Sequence, residues 1–502
     1  MNEQWLTIYQ FFKPCQWIYI AISIALIYLL TKVLRAFLLL SQVKVPVVWW
    51  YPKFWKQDAT KQRGQSLAKI LQNMRTKKGP YEMYGTVFGT EAVLHIGHPE
   101  VARLVLQSTL KEPAYDHFKG FCGEGVFTAD GPAWKSKRAS VLHSLFRKTD
   151  LAQVAPLANQ VMDDLLSVLT EGDTVDFVST IQHQTLSLIY QFLTGNELDQ
   201  EALKQRSYYL KAVSTIRMVI LAFSRSLWMF SRTLYYICSS LGREEQKAMC
   251  PIRKFAQHAI NNSSSNAPLK KLSQRPSHNT QSVAMLDESI TLLFAGQDTS
   301  AATLSWTTYL LALNPCWQDQ IHTEVTGIAG ASGHIDEKII GKLSIVDAVI
   351  KEALRLFPVA PFVARHLKQS VTLPDGTTIP SGITAIIWIY AMHHNPDFWT
   401  NANDFYPSRW LYKSIKGNDI KVDQNFEGQN KHMDDNLTAY MPFAHGPRSC
   451  IGQPFAHIAL RVMLARIFRD WKVELKESSE KKMQVGFTVL PEDGLHVKMY
   501  RR

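Results

Sequence analysis

Cysteine is scarce in this chain and shows no paired pattern. The six cysteines lie at positions 15, 122, 238, 250, 316 and 450, with no C-x-x-C and no histidine cluster at zinc-finger spacing. A disulfide framework and a structural zinc site are therefore not expected, and any cysteine with a function must act singly. The chain also lacks G-x-G-x-x-G, an alternating strand and helix pattern and a repeat period, which argues against a Rossmann enzyme and a repeat protein.

Charge is also sparse, at 20% of residues against 46% hydrophobic residues in a chain of 502. This composition excludes a disordered tail, a coiled coil or a collagen-like fibre and allows a large buried core. The net charge of +12 favours an acidic partner, an anionic membrane surface or nucleic acid, unless it is only a solvated basic surface. Nucleic-acid binding has no motif support beyond charge, so no nucleic acid is expected as a partner.

Residues 14–31 carry no charge and are nearly all apolar. This is about the shortest segment that spans a bilayer core. Trp17, Tyr19 and Tyr28 lie near its ends, where amphipathic rings prefer the headgroup level. A cleaved signal peptide is the rival interpretation, but no clear small-x-small site follows before Lys32. We therefore predict an amino-terminal tail over residues 1–13 and a retained transmembrane anchor over residues 14–31.

Basic residues follow this segment at positions 32, 35, 44, 53 and 56, against Lys13 before it. The positive-inside rule then places the remaining chain on the cytoplasmic side. Residues 32–56, with Pro46 and Pro52 among aromatic residues, are expected to form a stiff membrane-proximal connector. Residues 57–502 are expected to form one large domain.

Beyond the connector the apolar spacing is mostly helical, from about residue 133 to 261 and from 286 to 313. Strand and turn signals are fewer and cluster at residues 86–96 and after residue 358. Residues 261–282 are polar and basic and predict an exposed loop. The expected fold class is mainly α with a minor β region.

The sharpest local signal is the segment from Pro442 to Gly452, followed at once by an amphipathic helix. A cysteine just before a helix start has its thiolate stabilised by free backbone N–H groups and the helix dipole, so Cys450 is a plausible anionic ligand. Glycines let the backbone pass close to a large flat group, Arg448 offers a fork for a carboxylate, and Phe443 could pack beneath a ring. Haem bound through one thiolate needs this combination. The alternative is a buried cysteine after a Gly/Pro turn.

At these residues the sequence resembles the cytochrome P450 family of haem-thiolate monooxygenases. It matches the family's Phe-x-x-Gly-x-Arg-x-Cys-x-Gly signature at every fixed position. The resemblance implies the cytochrome P450 fold, haem b as cofactor and Cys450 as the iron ligand. It also implies that Phe443, Gly446, Arg448 and Gly452 bind the cofactor.

Residues Ala295, Gly296, Asp298 and Thr299, midway along the long predicted helix, match the family's oxygen-activation motif. The resemblance implies a catalytic role for all four. Gly296 would let the helix open where dioxygen binds, and Thr299 and Asp298 would relay protons. Read alone, the motif could be an ordinary Gly and Thr in a buried helix. No haem ester is expected, because Ala295 stands where some fatty-acid hydroxylases of the family carry Glu.

Other family motifs occur in the same order. Glu352 and Arg355 lie on one helix face, and with Arg409, which precedes Trp410 where the family has Phe, they would form a buried triad that holds the Cys450 loop. The resemblance implies haem-propionate contacts from a last group of residues: Trp134, Arg138 and Arg365.

The resemblance implies a monooxygenase that inserts one atom of O2 into a lipophilic substrate. Within the family, the carboxyl half of the chain is most similar to fatty-acid ω-hydroxylase-like branches. Electrons would come from NADPH through cytochrome P450 reductase, with cytochrome b5 as a second donor, at the endoplasmic reticulum membrane. The alternatives are a haem-thiolate isomerase or dehydratase that acts on peroxides without a reductase, and a membrane-tethered haem sensor or carrier.

Three segments correspond to regions that line the substrate pocket in the family, and their apolar content predicts a lipophilic ligand: residues 115–130, 218–230 and 359–363. Four basic residues are candidates for a reductase-docking face: Lys135, Lys137, Arg147 and Lys148. Residues 413–438 are longer and more polar than the family minimum and predict an exposed insertion.

Overall fold

The computed structural model describes residues 3–48, 80–88, 90–111, 115, 118–223, 232–275, 283–330, 333–411, 438–477, 480–485 and 488–502. Residues 32–42 of the predicted connector are helical. Its last residues, 49–56, and residues 413–437 of the predicted 413–438 insertion lie outside the described residues. The same holds for the end of the predicted lining segment 218–230, from residue 224 onward.

Helices dominate the described part of the chain, and the mainly α class with a minor β region is confirmed. The helices are α1 (Glu3–Gln42), α2 (Pro99–Val105), α3 (Lys119–Cys122), α4 (Gly131–Leu145), α5 (Lys148–Leu151), α6 (Val154–Val168), α7 (Phe177–Thr194), α8 (Gln200–Phe223), α9 (Arg232–Cys238), α10 (Ser240–Asn261), α11 (Pro268–Ser273), α12 (Val283–Leu313), α13 (Pro315–Ala329), α14 (Glu337–Ile340), α15 (Ser344–Leu356), α16 (Ile389–His393) and α17 (Gln453–Asp470).

The strands form one five-stranded sheet and three small ones. They are β1 (Val47–Val48), β2 (Met83–Phe88), β3 (Glu91–Ile96), β4 (Thr174–Asp176), β5 (Val363–His366), β6 (Val371–Thr372), β7 (Thr378–Ile379), β8 (Thr384–Ile387), β9 (Trp471–Leu475), β10 (Met483–Val485), β11 (Val489–Pro491) and β12 (His496–Arg501). The large sheet has the order β1-β2-β3-β8-β5, and the others are β4-β12-β9, β6-β7 and β10-β11. Within the large sheet, β1 pairs parallel to β2 with Val47 opposite Gly85.

Helix α12 runs through the largest core cluster, and nearly every side chain from Ser300 to Leu311 is buried. The polar residues of this stretch are short, and the hydroxyls of Thr303, Ser305 and Thr307 donate to carbonyls one turn earlier, which allows them to be buried. Trp306 stacks on Phe357 at 3.9 Å between ring centroids, and its indole N–H donates to the Val489 carbonyl at 2.9 Å. These contacts fix α12 against α15 and the β10-β11 hairpin.

One predicted loop contains a helix. Helix α11 lies inside residues 261–282 and buries Pro268, Leu269 and Leu272. The Ser- and Asn-rich composition of the segment suggested exposure, but these three apolar residues share one helix face and pack into the core. The expectation of an exposed loop was wrong for this part.

Candidate functional site

The segment before α17 folds into a tight loop that presents Cys450. The Cys450 amide donates to the Phe443 carbonyl at 2.9 Å, and the Ser449 amide donates to the Gly446 carbonyl at 2.9 Å. Gly446 has φ of 76°, and a Cβ there would lie 2.5 Å from the Leu106 carbonyl oxygen. Both the left-handed backbone and this close approach require glycine at position 446.

Cys450 sits at the amino-terminal end of α17 with its side chain open to an internal space. The side chain is exposed although protein surrounds it, so it lines an opening and not the packed core. Burial raises the pKa of the Cys450 thiol, while the backbone N–H groups of Gly452 and Gln453 and the charge of Arg138 oppose that rise. These donors and the charge of Arg138 stabilise the anionic form of the side chain, although burial has the larger effect on the pKa.

Cys122 shows the contrast. It is fully buried, and burial raises the pKa of its thiol far above the ordinary value. Such a cysteine stays a neutral, inert thiol. Among the cysteines whose side chains the structure describes, Cys450 alone combines a helix amino terminus with an internal opening.

Cations gather beside this opening with little compensating negative charge. Burial lowers the pKa of Arg448 to about 10, Asp130 opposes this shift, and Arg365 and Arg138 reinforce it. Burial, and then the charges of Arg448 and Arg365, lower the pKa of Lys111 well below its ordinary value. Asp130 is the single carboxylate among these groups. The cluster therefore keeps a net positive charge that further carboxylates could neutralise.

Arg448 is held rigidly within the cluster. Its Nε donates to the Thr109 carbonyl at 2.8 Å, and its Nη2 donates to the Ala129 carbonyl at 2.7 Å and to the Asp130 carboxylate. Its guanidinium lies 4.0 Å from the ring centroid of buried Trp134. Its Nη1 is buried and has no partner among the described residues. A buried charged N–H group without a partner is costly, so this atom marks a place for an anionic ligand group.

Arg365 and Arg138 complete the cation set in different ways. Arg365 is almost fully buried and donates to the carbonyls of Ser108 and Ala364. Arg138, half-buried on α4, lies 6.0 Å from the Trp134 ring centroid. The structure thus brings the predicted Trp134, Arg138, Arg365 and Arg448 into one region.

One face of α12 is open where its neighbours are buried. Ala295 is exposed and Gly296 and Thr299 are half-buried, between buried residues on either side. The Thr299 hydroxyl donates to the Ala295 carbonyl at 2.7 Å, so its lone pairs are available as acceptors. This face of α12 and the Cys450 side chain are therefore both accessible, and α12 packs against α17, the helix that follows Cys450.

Helix α12 is continuous through Gly296. A Cβ at Gly296 would lie 2.7 Å from Ile189 on α7. Glycine therefore permits the close packing of α7 on α12.

Asp298 does not lie on the open face. Its carboxylate is fully buried and accepts from the Arg217 guanidinium on α8 at 2.9 Å and from the Thr488 hydroxyl at 2.6 Å. The pair of Asp298 with Arg217 is a salt bridge with the arginine side chain 13% exposed. The structure thus ties the predicted acid to α8 and to the residue before β11.

The predicted triad residues meet in one buried network. Glu352 accepts from Arg355 Nε at 3.0 Å and Nη2 at 2.8 Å and from Arg409 Nε at 3.0 Å. The Trp410 indole, which replaces a Phe of the family pattern, also donates to Glu352 at 2.9 Å. Arg355 further donates to three backbone carbonyls, those of His393, Ala402 and Asp404.

His393 links this network to the Cys450 loop. One ring nitrogen, Nδ1, contacts the Arg355 carbonyl at 3.1 Å, and the other, Nε2, accepts from the Met441 amide at 3.0 Å. Because a carbonyl can only accept and an amide can only donate, the ring is neutral with its proton on Nδ1. Burial, then His394 and Arg355, lower the pKa of His393 to about 3.

The His393 ring predicts a loss of stability in acid. An unfolded histidine titrates near 6.5 while the native ring titrates near 3, so between these values the unfolded state binds the extra proton. The contribution is therefore complete above about pH 6.5 and is lost progressively as the pH falls. Between pH 7 and pH 5 the loss should reach about 2 kcal/mol. Guanidinium unfolding of wild type and His393→Gln at both pH values measures it, and equal pH dependence of the two proteins would contradict it.

Sequence reasoning missed Lys111, Asp130, Arg217, Thr488 and the bridging role of His393. Lys111 lies 3.4 Å from the Phe127 ring centroid and 4.3 Å from that of Tyr115. The Asp-Gly-Pro before the Trp134 motif could have marked Asp130 as the residue before a helix. No local pattern marks Arg217 or Thr488.

The first predicted lining segment is aromatic in the structure. Tyr115, Phe118 and Phe127 contact one another with ring centroids 5.6 to 5.8 Å apart. Phe121 packs edge-on to Phe294 of α12 at 4.8 Å. In the third segment Phe362 is 39% exposed.

The predicted docking residues differ in their availability. Lys135, Arg147 and Lys148 are exposed. Lys137 is half-buried and its ammonium donates to the Glu124 carbonyl. The exposed positive charge among these four residues therefore comes from Lys135, Arg147 and Lys148.

Comparison with known proteins gives consistent results. The family model described as Cytochrome P450 matches residues 45–499. Cytochrome P450 4X1 of Homo sapiens is 26% identical over 483 residues, which cover 90% of this chain and 89% of that protein. Cytochrome P450 4F12 of Homo sapiens is 26% identical, with 80% and 79% covered. Taurochenodeoxycholic 6 alpha-hydroxylase of Sus scrofa is 25% identical, with 82% of each chain covered.

Proposed function

Because the chain belongs to the cytochrome P450 family of monooxygenases, we propose that it inserts one oxygen atom of O2 into a C–H bond of a lipophilic, fatty-acid-like substrate. The observation that carries this proposal is that two packed helices each present an accessible functional group, the Cys450 thiol just before α17 and the α12 face at Ala295 and Thr299. A buried cluster of cations with an unpartnered guanidinium nitrogen lies beside the first.

These residues fit haem b. Cys450 would be the iron ligand, stabilised as a thiolate by the N–H groups of Gly452 and Gln453. The two propionates would meet Arg448, Arg365, Arg138 and Lys111, and the free Nη1 of Arg448 supports this. When bound, the haem supplies dioxygen activation, and a thiolate ligand favours O–O cleavage.

Thr299 and Asp298 have different parts in proton delivery. The Thr299 hydroxyl on the open face can accept a hydrogen bond and pass a proton. Asp298 is held by Arg217 and Thr488, so its carboxylate must exchange one of these partners before it can turn toward the open face. Since α8 and the β10-β11 hairpin carry these partners, movement of either element controls the availability of Asp298.

Thr299→Val predicts uncoupled turnover. Substrate binding should be retained because the two side chains have the same shape, while product formed per NADPH should fall by about tenfold or more for want of the hydroxyl. Oxygen would then leave as peroxide or water. Product, NADPH and peroxide are measured in the reductase-dependent assay.

Thr303→Val is the matched control. Thr303 lies one helical turn later and its hydroxyl donates only to the Thr299 carbonyl at 2.9 Å. Equal coupling in wild type and Thr299→Val, or equal uncoupling in both variants, would contradict the role given to Thr299.

The substrate proposal rests on the apolar lining and on the relatives. The aromatic group of Tyr115, Phe118 and Phe127 and the exposed Phe362 favour a lipophilic molecule. One relative is named a taurochenodeoxycholic 6 alpha-hydroxylase, and the bile acid in that name is a taurine conjugate with an apolar steroid body. We infer hydroxylation of a fatty acid or a similar lipid.

Electrons would come from NADPH through cytochrome P450 reductase, with cytochrome b5 as a second donor. Lys135, Arg147 and Lys148 offer exposed positive charge for an acidic redox partner. The chain would lie in the endoplasmic reticulum membrane with the catalytic domain in the cytoplasm. Helix α1 supports this, since Tyr19–Gln42 is long and apolar enough to cross a membrane, and Lys32, Arg35 and Lys44 follow its apolar part.

A screen of fatty acids, bile acids and other lipids for the low-spin to high-spin shift of the haem tests the proposal. Hits should be hydroxylated only when reductase, NADPH and O2 are present. Rearrangement of lipid peroxides without reductase would instead identify an isomerase or dehydratase. Haem binding with no NADPH consumption for any hit would identify a sensor or carrier.

A further inference from the structure

Helix α1 is much longer than a membrane span. Its 40 residues extend about 60 Å at 1.5 Å per residue, about twice the thickness of a bilayer core. The uncharged stretch ends at Thr31, yet the helix continues without a break to Gln42. The question is what the last three turns contact.

Those turns pack on the five-stranded sheet of the catalytic domain. Ala36, Leu40 and Val43 are 2%, 0% and 1% exposed and lie on one helix face. They belong to the same core cluster as β2, β3 and β8, with Val33 and Phe37 at its edge.

The helix approaches β2 closely at this point. A Cβ at Gly85 would lie 2.9 Å from the Leu40 side chain. Glycine at position 85 therefore lets Leu40 sit directly on the strand, which makes the docking specific to this pair.

The chain then joins the sheet with no spacer. The amides of Val43 and Lys44 donate to the carbonyls of Leu40 and Ser41, and Lys44 turns the chain with φ of 56°. Strand β1 starts at Val47, and the Gly85 amide donates to the Pro46 carbonyl at 2.8 Å. Helix and sheet are thus fixed to each other both by side-chain packing and by backbone hydrogen bonds.

The opposite face of the same turns is apolar and exposed. Leu26, Leu30, Leu34 and Leu38 follow at four-residue intervals and are 54%, 65%, 60% and 56% exposed. This stripe begins in the apolar span and continues past it along the docked turns. Val33, which packs against this core cluster, lies two positions after Thr31, about 3 Å of helix rise.

We propose that α1 is rigidly docked on the catalytic domain and that Leu34 and Leu38 form a lipid-contacting surface that holds the five-stranded sheet at the headgroup level of the bilayer. The proposal rests on the membrane anchoring proposed above. A loose tether would let the domain tumble above the membrane, whereas this docked helix fixes its height and tilt.

Photo-crosslinking in phosphatidylcholine nanodiscs tests this surface in the full chain. The probe p-benzoylphenylalanine is placed in turn at position 26, 37, 38 or 168. Positions 26 and 38 should yield lipid adducts several-fold above position 168, where Val168 is 74% exposed on the catalytic domain. Position 37, on the docked face, should instead crosslink within the chain.

The outcomes separate docking from anchoring. Lipid adducts at position 26 with none at position 38 would leave the anchor intact and overturn the lipid-contacting surface. Lipid adducts of equal yield at positions 37 and 38 would overturn the docking. Absence of lipid adducts at position 26 would overturn the anchoring, and this inference with it. Leu26 and Leu38 are exposed, so the probe there leaves the fold intact.

Discussion

Cys450→Ser should abolish the red-shifted Soret band of the reduced, carbon monoxide-bound protein and reduce monooxygenase turnover to background. In the proposed function the Cys450 thiolate is the iron ligand, and a serine hydroxyl does not ionise near neutral pH even with two N–H donors beside it. The fold should survive, because the side chain lines an opening and makes no part of the buried core. The expected result is thus a folded protein without thiolate ligation.

Circular dichroism and the carbon monoxide difference spectrum measure the two parts of this result. Cys316→Ser is the control, since Cys316 is exposed on α13, far along the chain from the Cys450 loop. It should keep the spectrum and the turnover of wild type. A red-shifted band in Cys450→Ser would show that another residue ligates the iron.

One part of the candidate site could be predicted from local sequence pattern, and another part arises only from tertiary packing. Cys450, Gly446 and Arg448 lie within one short loop, where residue type and spacing already carry the chemistry. The partners of Asp298 are different, because Arg217 is 81 residues and Thr488 is 190 residues away in the chain. No rule of sequence spacing connects Asp298 on α12 with Arg217 on α8 and Thr488 before β11. This hydrogen-bond network therefore could not be predicted from the sequence.

Helix α1 shows a signal that was present in the sequence and not used. The apolar run of residues 14–31 predicted a span, and the charges of Lys32 and Arg35 suggested its end. Residues 33, 36, 37, 40 and 43 repeat at helical spacing beyond those charges and face the sheet. Hydropathy averaged over a window conceals such a one-sided face, and the four-residue link to β1 depends on pairing that no sequence pattern specifies.

Glu352 lies at the centre of a buried network that reaches the start of the Cys450 loop. The fully buried carboxylate accepts from Arg355, Arg409, Trp410 and the Tyr406 amide. Arg355 is itself fully buried, and its carbonyl contacts His393, which holds the Met441 amide at the start of the loop. One negative charge thus compensates two guanidinium groups.

Glu352→Gln should lower the free energy of unfolding by about 3 to 5 kcal/mol, because it leaves both guanidinium groups without a counter-charge in a buried site. That is a large part of the 5 to 15 kcal/mol typical of native proteins. Less haem protein should accumulate, and the Cys450 loop should lose its fixed position, so part of the red-shifted Soret band should be lost. Denaturant unfolding and the carbon monoxide spectrum of purified protein measure these effects.

Glu474→Gln is the matched control for this charge removal. Glu474 pairs with Lys472 at 3.2 Å, and both side chains are largely exposed, so the change should cost about 0 to 1 kcal/mol. Comparing the two Glu→Gln variants therefore measures how much more a buried carboxylate contributes to the free energy of unfolding than an exposed one. Equal stability of the two variants would mean that the Glu352 network does not hold the fold, and that the Cys450 loop depends on its own backbone hydrogen bonds alone.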